Sequence, residues 1–195
     1  MTGDFATALP RALAHRQRTT LARPDKTVAA VLVPVFLAAG EPHLVYIRRA
    51  HDLPHHRGQI AFPGGRHQPE HDGTLEATAL REASEEIGLA PADVRLVGAL
   101  DDTETVGSRF VITPFVGLVP YPYIWRPCPR EVDTVFTVPL GALAAPGAER
   151  QETWNFGGTD VPITTFPVNG HVIWGVTQRI TRNLLDVLAG DGGGN

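Results

Sequence analysis

The chain has 195 residues, enough for one domain whose core needs no disulfide or metal staple. With 43% hydrophobic residues it is not a disordered chain, and a net charge of −4 (17 basic, 21 acidic) leaves no basic excess for a nucleic-acid surface. The lone Cys128 excludes an internal disulfide framework and a cysteine-built metal centre, and it fits a reducing cytosol.

In the N-terminal stretch Arg11, His15, Arg16 and Arg18 interrupt the apolar residues, so no signal-peptide core forms. Phe5, Leu9 and Leu13 recur every fourth residue and predict a short amphipathic helix over 5–18. The run from Val28 to Leu37 reads as a buried strand, and Gly40-Glu41-Pro42 turns it into a second strand, His43 to Arg49. The longest apolar run, Val28 to Ala39, holds Pro34 and is too short to span a bilayer, so a soluble, cytoplasmic protein with no membrane partner is expected. Ala50 to Gly65 is polar, rich in His and punctuated by Gly and Pro, with an apolar patch from Ile60 to Phe62.

Thr74 to Gly88 is the best helix: Thr74 is the N-cap, Gly88 the C-cap, and Ala, Leu, Arg and Glu fill it. Val94–Leu100 and Phe110–Val119 read as strands, and Tyr121–Pro129 as a stiff proline-rich loop. Further strands are expected at Val135–Val138, Glu152–Phe156 and Val161–Val168, with a closing helix at Ile173–Leu188. Strands, one helix, more strands and a closing helix predict an α+β layered domain rather than a doubly wound sheet.

Chemistry concentrates in Arg81-Glu82-Ala83-Ser84-Glu85-Glu86-Ile87-Gly88-Leu89. Glu82, Glu85 and Glu86 stand at i, i+3 and i+4 and share one helix face, while Leu80, Ala83 and Ile87 fall on the adjacent face as anchors. Such a face is either solvated, at the cost of mutual repulsion, or drawn around a hard divalent cation. The glycine pair Gly64-Gly65 is either a plain turn or a place where backbone passes close to a neighbour.

Taken together, these residues resemble the Nudix hydrolase box, G-x5-E-x7-R-E-U-x-E-E-x-G-U, with U bulky and aliphatic. Gly65, Arg81, Glu82, Glu85, Glu86, Gly88 and Leu89 match, and Ala83 is a small occupant of the first U. The resemblance implies an α/β/α sandwich with mixed β-sheets and a loop–helix–loop catalytic motif. It also implies metal-dependent hydrolysis of the pyrophosphate in a nucleoside diphosphate derivative. Glu82, Glu85 and Glu86 inherit the role of ligands to Mg²⁺ or Mn²⁺, and Arg81 that of an orienting ion-pair partner. The box departs in one respect: it places thirteen residues between its glycine and arginine, whereas Arg66 to Leu80 gives fifteen. The box's first glutamate is therefore unmatched, and Glu70 and Asp72 are the two candidates to replace it.

A second pattern precedes the box. Nudix enzymes that cleave coenzyme A carry a signature close to L-L-T-x-R-[SA]-x3-R-x3-G-x3-F-P-G-G. Arg49, Ala50, Gly58 and Phe62-Pro63-Gly64-Gly65 match it at the right spacing; Val45, Tyr46 and Ile47 replace Leu-Leu-Thr, and Pro54 replaces the second arginine. The resemblance runs from about Val28 to Leu188. It implies cleavage of coenzyme A or its derivatives to 3′,5′-ADP and 4′-phosphopantetheine. Rival readings are another substrate (ADP-ribose, NADH or a dinucleotide) and a non-catalytic nucleotide sensor, against which the retained carboxylates argue. Arg49, His56 and Arg57 are candidate cations for the 3′-phosphate, with Leu53, Ile60 and Phe62 as an apolar wall and Gly64 and Gly65 near the substrate.

Residues 1–25 are expected to be a helical N-terminal extension, 26–190 a single Nudix domain and 191–195 a flexible tail. The expected partner is a small nucleotide; a homodimer is left open. Asp101, Asp102 and Glu104 form an acidic turn, solvated or supplying a fourth metal ligand, and Glu131 is a loop base or a surface charge. Tyr123 and Trp125 either stack on an adenine or pack their loop onto the body. His51, His55, His56, His67 and His71 crowd the approach to the box without the fixed spacing of a zinc site. Ser84 and Cys128 lack a His partner and are not nucleophiles.

Overall fold

A computed structural model of the chain describes residues 5–22, 25–51, 57–105 and 109–190. Leu53, Pro54, His55, His56 and the tail 191–195 lie outside the described residues. Strands β1 (Thr27–Ala38), β2 (Glu41–Arg49), β3 (Ile60–Ala61), β4 (Gly64–Arg66), β5 (Arg95–Ala99), β6 (Thr103–Glu104), β7 (Phe110–Leu118) and β8 (Val132–Pro139) form one sheet. Its spine runs β3-β2-β1-β7-β5; β1 and β7 are parallel and the remaining pairs antiparallel, so the sheet is mixed. A second, antiparallel sheet holds β9 (Arg150–Phe156), β10 (Thr159–Val168) and β11 (His171–Trp174).

The near-continuous apolar run of β1 has its cause in burial on both faces. Alternate residues Ala30, Leu32 and Phe36 meet helix α3 (Leu75–Ile87) on one face of the sheet. Val33 and Val35 share a core with α1 (Phe5–Ala14) and α5 (Gly175–Ala189) on the other, and a short helix α4 (Leu140–Ala144) follows β8. The result is the expected α/β/α sandwich. Among the described residues no helix is long and apolar enough to cross a membrane.

Strand β8 starts at Val132, ahead of the expected Val135, and two helix boundaries also differ from expectation. The first helix stops at Ala14 rather than Arg18, and Arg16 and Arg18 instead leave the helix to bind Asp101 and Asp102. The closing helix begins at Gly175, not Ile173, because Asn169 (φ 50°) and Gly170 (φ 78°) turn β10 back into β11. An Asn-Gly pair with both φ positive is a hairpin turn, and it places Ile173 opposite Phe166 in the sheet.

Candidate active site

Helix α3 is fixed at both ends. The Thr74 hydroxyl accepts from Ala77 N at 3.2 Å, and Gly88 turns left-handed (φ 69°) while its N–H donates to Ala83 and Ser84. Ala79, Ala83 and Ile87 are fully buried against the sheet; Ala79, not Leu80, completes that anchor. The loop after β7 then straps the C-terminal turn. Arg126 N donates to Ile87 O and Cys128 N to Glu86 O, both at 2.9 Å, and the Tyr123 hydroxyl donates to Gly88 O at 3.3 Å. These donors satisfy carbonyls that a helix end otherwise leaves open. Tyr123 and Trp125 pack against the α3-side core, so the loop-packing reading describes them.

The three box glutamates are not equivalent. The Glu85 side chain is 56% exposed, that of Glu82 12% and that of Glu86 2%, so the face slopes from solvent into the protein. Burial pushes the Glu86 carboxyl up to about 8, against the opposing pull of the Gly64 N–H and Arg49. Burial also raises Glu82, against the pull of Arg81. Glu131, half-buried on the loop before β8, adds its negative charge to both. Its place is therefore the site rather than open surface, a placement the sequence left undecided.

The glycine pair is a cradle for these carboxylates. Strand β4 pairs with β1, and Gly64 N donates to Glu86 Oε2 at 2.9 Å. A Cβ on Gly64 would stand 2.4 Å from Ala30 O, and one on Gly65 would stand 2.5 Å from Glu82 Cδ. Gly64 has no room for a side chain against that backbone, and one at Gly65 would displace the Glu82 carboxylate. Arg49, at the end of β2, projects to the same face as Val45 and Ile47, and its Nη1 lies 3.6 Å from Glu86 Oε1. Arg57 is exposed in the turn before Gly58.

The extra residues between Gly65 and Arg81 form a short helix, α2 (Pro69–Asp72), and its last residue settles the contest for the Arg81 contact. Arg81 donates to Asp72 through Nε at 2.6 Å and Nη2 at 3.2 Å, and through Nη1 it meets Glu82 at 2.8 Å and Glu85 at 3.0 Å. Asp72 is almost wholly buried and also accepts from Gln68 N and the Thr78 hydroxyl. The Arg81 hydrogen bond, opposed by burial, holds its carboxyl well below the usual carboxylate range. Glu70 is exposed.

Two further expectations need correction. Asp101 and Asp102 are neither a solvated turn nor a ligand pair: Arg16, Arg18, Thr19 N, Leu21 N, Thr113 and Asn183 consume them, and Lys26 pairs with Glu104. Ile60 and Phe62 are core residues, Phe62 stacked on Tyr46 with centroids 4.7 Å apart, and give no free wall to a ligand.

A divalent cation fits the donor set. Glu82, Glu85 and Glu86 offer hard oxygen donors, and among the described residues the buried Glu86 carboxylate meets a 3.6 Å cationic partner and one N–H donor. Arg81 now holds Glu82 and Glu85, and among the described residues no three acidic, His or Cys side chains already converge as a finished cage. Among these residues the histidines likewise build no zinc centre; His67 is spent on Thr78, beside Asp72.

Comparison with known proteins gives the family and the fold. Residues 26–156 match the family model described as the NUDIX domain. Proteins described as the uncharacterized Nudix hydrolase NudL, from Salmonella paratyphi B and Salmonella typhimurium, are 35% identical over 174 residues. Each match covers 86% of this chain and 89% of the relative. Among solved structures, a MutT/nudix family protein from Enterococcus faecalis superposes with a TM-score of 0.55 and 15% identity, covering 93% of this chain and 68% of that one. A Nudix hydrolase from M. Smegmatis, RenU, gives 0.51 and 22%, covering 61% and 74%.

Proposed function

This chain belongs to the Nudix hydrolase family, and from that premise we propose that it cleaves coenzyme A or its derivatives. The family acts on phosphoanhydride bonds of nucleoside diphosphate derivatives with the help of divalent metal ions. The proposed reaction adds one water across the pyrophosphate and yields 3′,5′-ADP and 4′-phosphopantetheine.

One observation carries the substrate reading. The segment that matches the coenzyme A signature ends on the reactive carboxylates: Gly64 binds Glu86, Gly65 lies against Glu82, and Arg49 faces Glu86. Glu82, Glu85 and Glu86 would hold the Mg²⁺ or Mn²⁺. When bound, that ion supplies charge neutralisation for the pyrophosphate and an activated water. The chain's own residues do the positioning. Gly64 fixes one Glu86 oxygen, Arg81 orients Glu82 and Glu85 from its anchor on Asp72, and Glu131, whose backbone carbonyl accepts from Ala50 N beside Arg49, is the proposed proton acceptor. Arg57, exposed beside the approach, supplies a cation for the 3′-phosphate.

The test is hydrolysis of coenzyme A read by product mass, with EDTA and then Mg²⁺ or Mn²⁺ added. The two named products, lost with chelator and regained with metal, support the reading. Metal-reversible binding without turnover would instead make the chain a nucleotide sensor.

A further inference from the structure

Arg49 has donor capacity that the protein does not use. Its backbone is fixed on both sides: Arg49 N donates to Gln59 O at 3.0 Å and Gly58 N donates to Arg49 O at 3.1 Å. At the same place the β2–β8 register slips: Arg48 lies opposite Thr134 but Arg49 opposite Val132. Asp133, the extra residue, binds Arg48. The bulge thus separates two adjacent arginines into two jobs. Arg48 is paired on the α5 side, with His171 in its field. Arg49 lies on the α3 side, where its Nε is buried and has no hydrogen-bond partner among the described residues. Its nearest carboxylate oxygen, on Glu86, is at 3.6 Å, too long for a hydrogen bond.

A buried, unpaired guanidinium N–H is costly unless something completes it. We infer that Arg49 grips the scissile pyrophosphate itself, as a substrate-binding residue beside Glu86, and does not read the distal 3′-phosphate. The planar fork matches a phosphate edge, and the partly exposed side chain opens onto the carboxylate face where a pyrophosphate must lie to be cut. In the absence of substrate the same positive charge partly offsets the buried Glu86. This inference rests on the site being a pyrophosphohydrolase centre, not on coenzyme A being the substrate.

The test compares the wild type, Arg49→Ala and Arg49→Lys. Titration with Mn²⁺ alone asks whether the carboxylates stay in place. Binding of the uncleavable α,β-methylene-ADP at saturating Mn²⁺ asks about the pyrophosphate. The kcat/KM ratio of coenzyme A to dephospho-coenzyme A asks about the 3′-phosphate. The inference expects Mn²⁺ affinity in Arg49→Ala equal to or tighter than wild type. Nucleotide affinity should fall about tenfold to a hundredfold, as for a lost charge-assisted hydrogen bond, with Arg49→Lys between. The substrate ratio should not change. Unchanged nucleotide affinity, a drop confined to coenzyme A, or Mn²⁺ affinity lost together with nucleotide affinity would each overturn it. If the chain cuts a different nucleoside diphosphate derivative, the two binding arms still decide the matter, and only the substrate proposal fails.

Discussion

Arg81 donates from Nε to Asp72 Oδ1 at 2.6 Å and from Nη2 to Oδ2 at 3.2 Å, a forked ion pair that ties the middle of α3 to the end of α2. The carboxylate it grips comes from a segment two residues longer than the family box, and the chain absorbs the excess as the turn α2.

Asp72→Ala and Glu70→Ala should therefore differ sharply. Losing Asp72 strands the partly buried Arg81 and two hydrogen bonds, a destabilisation of about 2–4 kcal/mol, with turnover falling because Arg81 no longer holds Glu82 and Glu85 in place. Losing the exposed Glu70 should change stability by no more than about 0.5 kcal/mol. Chemical denaturation of both variants checks this; equal effects would remove Asp72 from the role.

The same pair sets an acid limit. The folded Asp72 carboxyl titrates below its unfolded value of roughly 3.9, so its contribution is complete above that value and is lost as pH falls below it. Melting temperatures from pH 2 to 6 should show a shallower acid decline for Asp72→Asn than for wild type, with wild type more stable at pH 6. Parallel curves would deny the linkage.

Much of this site was legible in the sequence because helix periodicity fixes i, i+3 and i+4 on one face, and caps at Thr74 and Gly88 fix the ends. The burial of β1 followed from its continuous apolar run, whereas the mixed sheet was expected only from the family resemblance. What periodicity cannot show is which oxygen is buried. Glu86 is sealed while Glu85 is open, and the groups beside the Glu86 carboxylate, Gly64 N and Arg49, lie more than twenty positions upstream. Asp101 and Asp102 misled for the same reason: their partners Arg16 and Arg18 lie more than eighty positions upstream. The hairpin at Asn169-Gly170 did carry a local signal, and the apolar stripe from Ile173 onward concealed it.

Glu86→Gln should keep the fold, since an amide oxygen can still accept from Gly64 N. Turnover should fall by on the order of 10² or more, the scale of a lost positioned charge. Without metal the variant should melt no lower than wild type, because the amide has no ionisation for burial to oppose, and Mg²⁺ should no longer raise its melting temperature. Unchanged turnover at saturating Mg²⁺ would sink the assignment.

The two glycines should fail differently. Gly65→Ala drives a methyl into the Glu82 carboxylate, so Glu82 must move; the fold should persist while activity drops about tenfold or more. Gly64→Ala strikes the backbone of Ala30 and Val31, which cannot yield, and should cost stability by about 2 kcal/mol or more. Melting and activity measured together distinguish the two; an active Gly65→Ala with normal kinetics would contradict the cradle.

The central claim is tested most directly by competition. An equimolar mixture of coenzyme A, dephospho-coenzyme A, ADP-ribose and NADH is incubated with the full chain and Mg²⁺, and all products are followed by mass. Early accumulation of 3′,5′-ADP and 4′-phosphopantetheine, ahead of the products of ADP-ribose and NADH, is the predicted result. Intact coenzyme A alongside hydrolysed ADP-ribose or NADH would contradict the assignment.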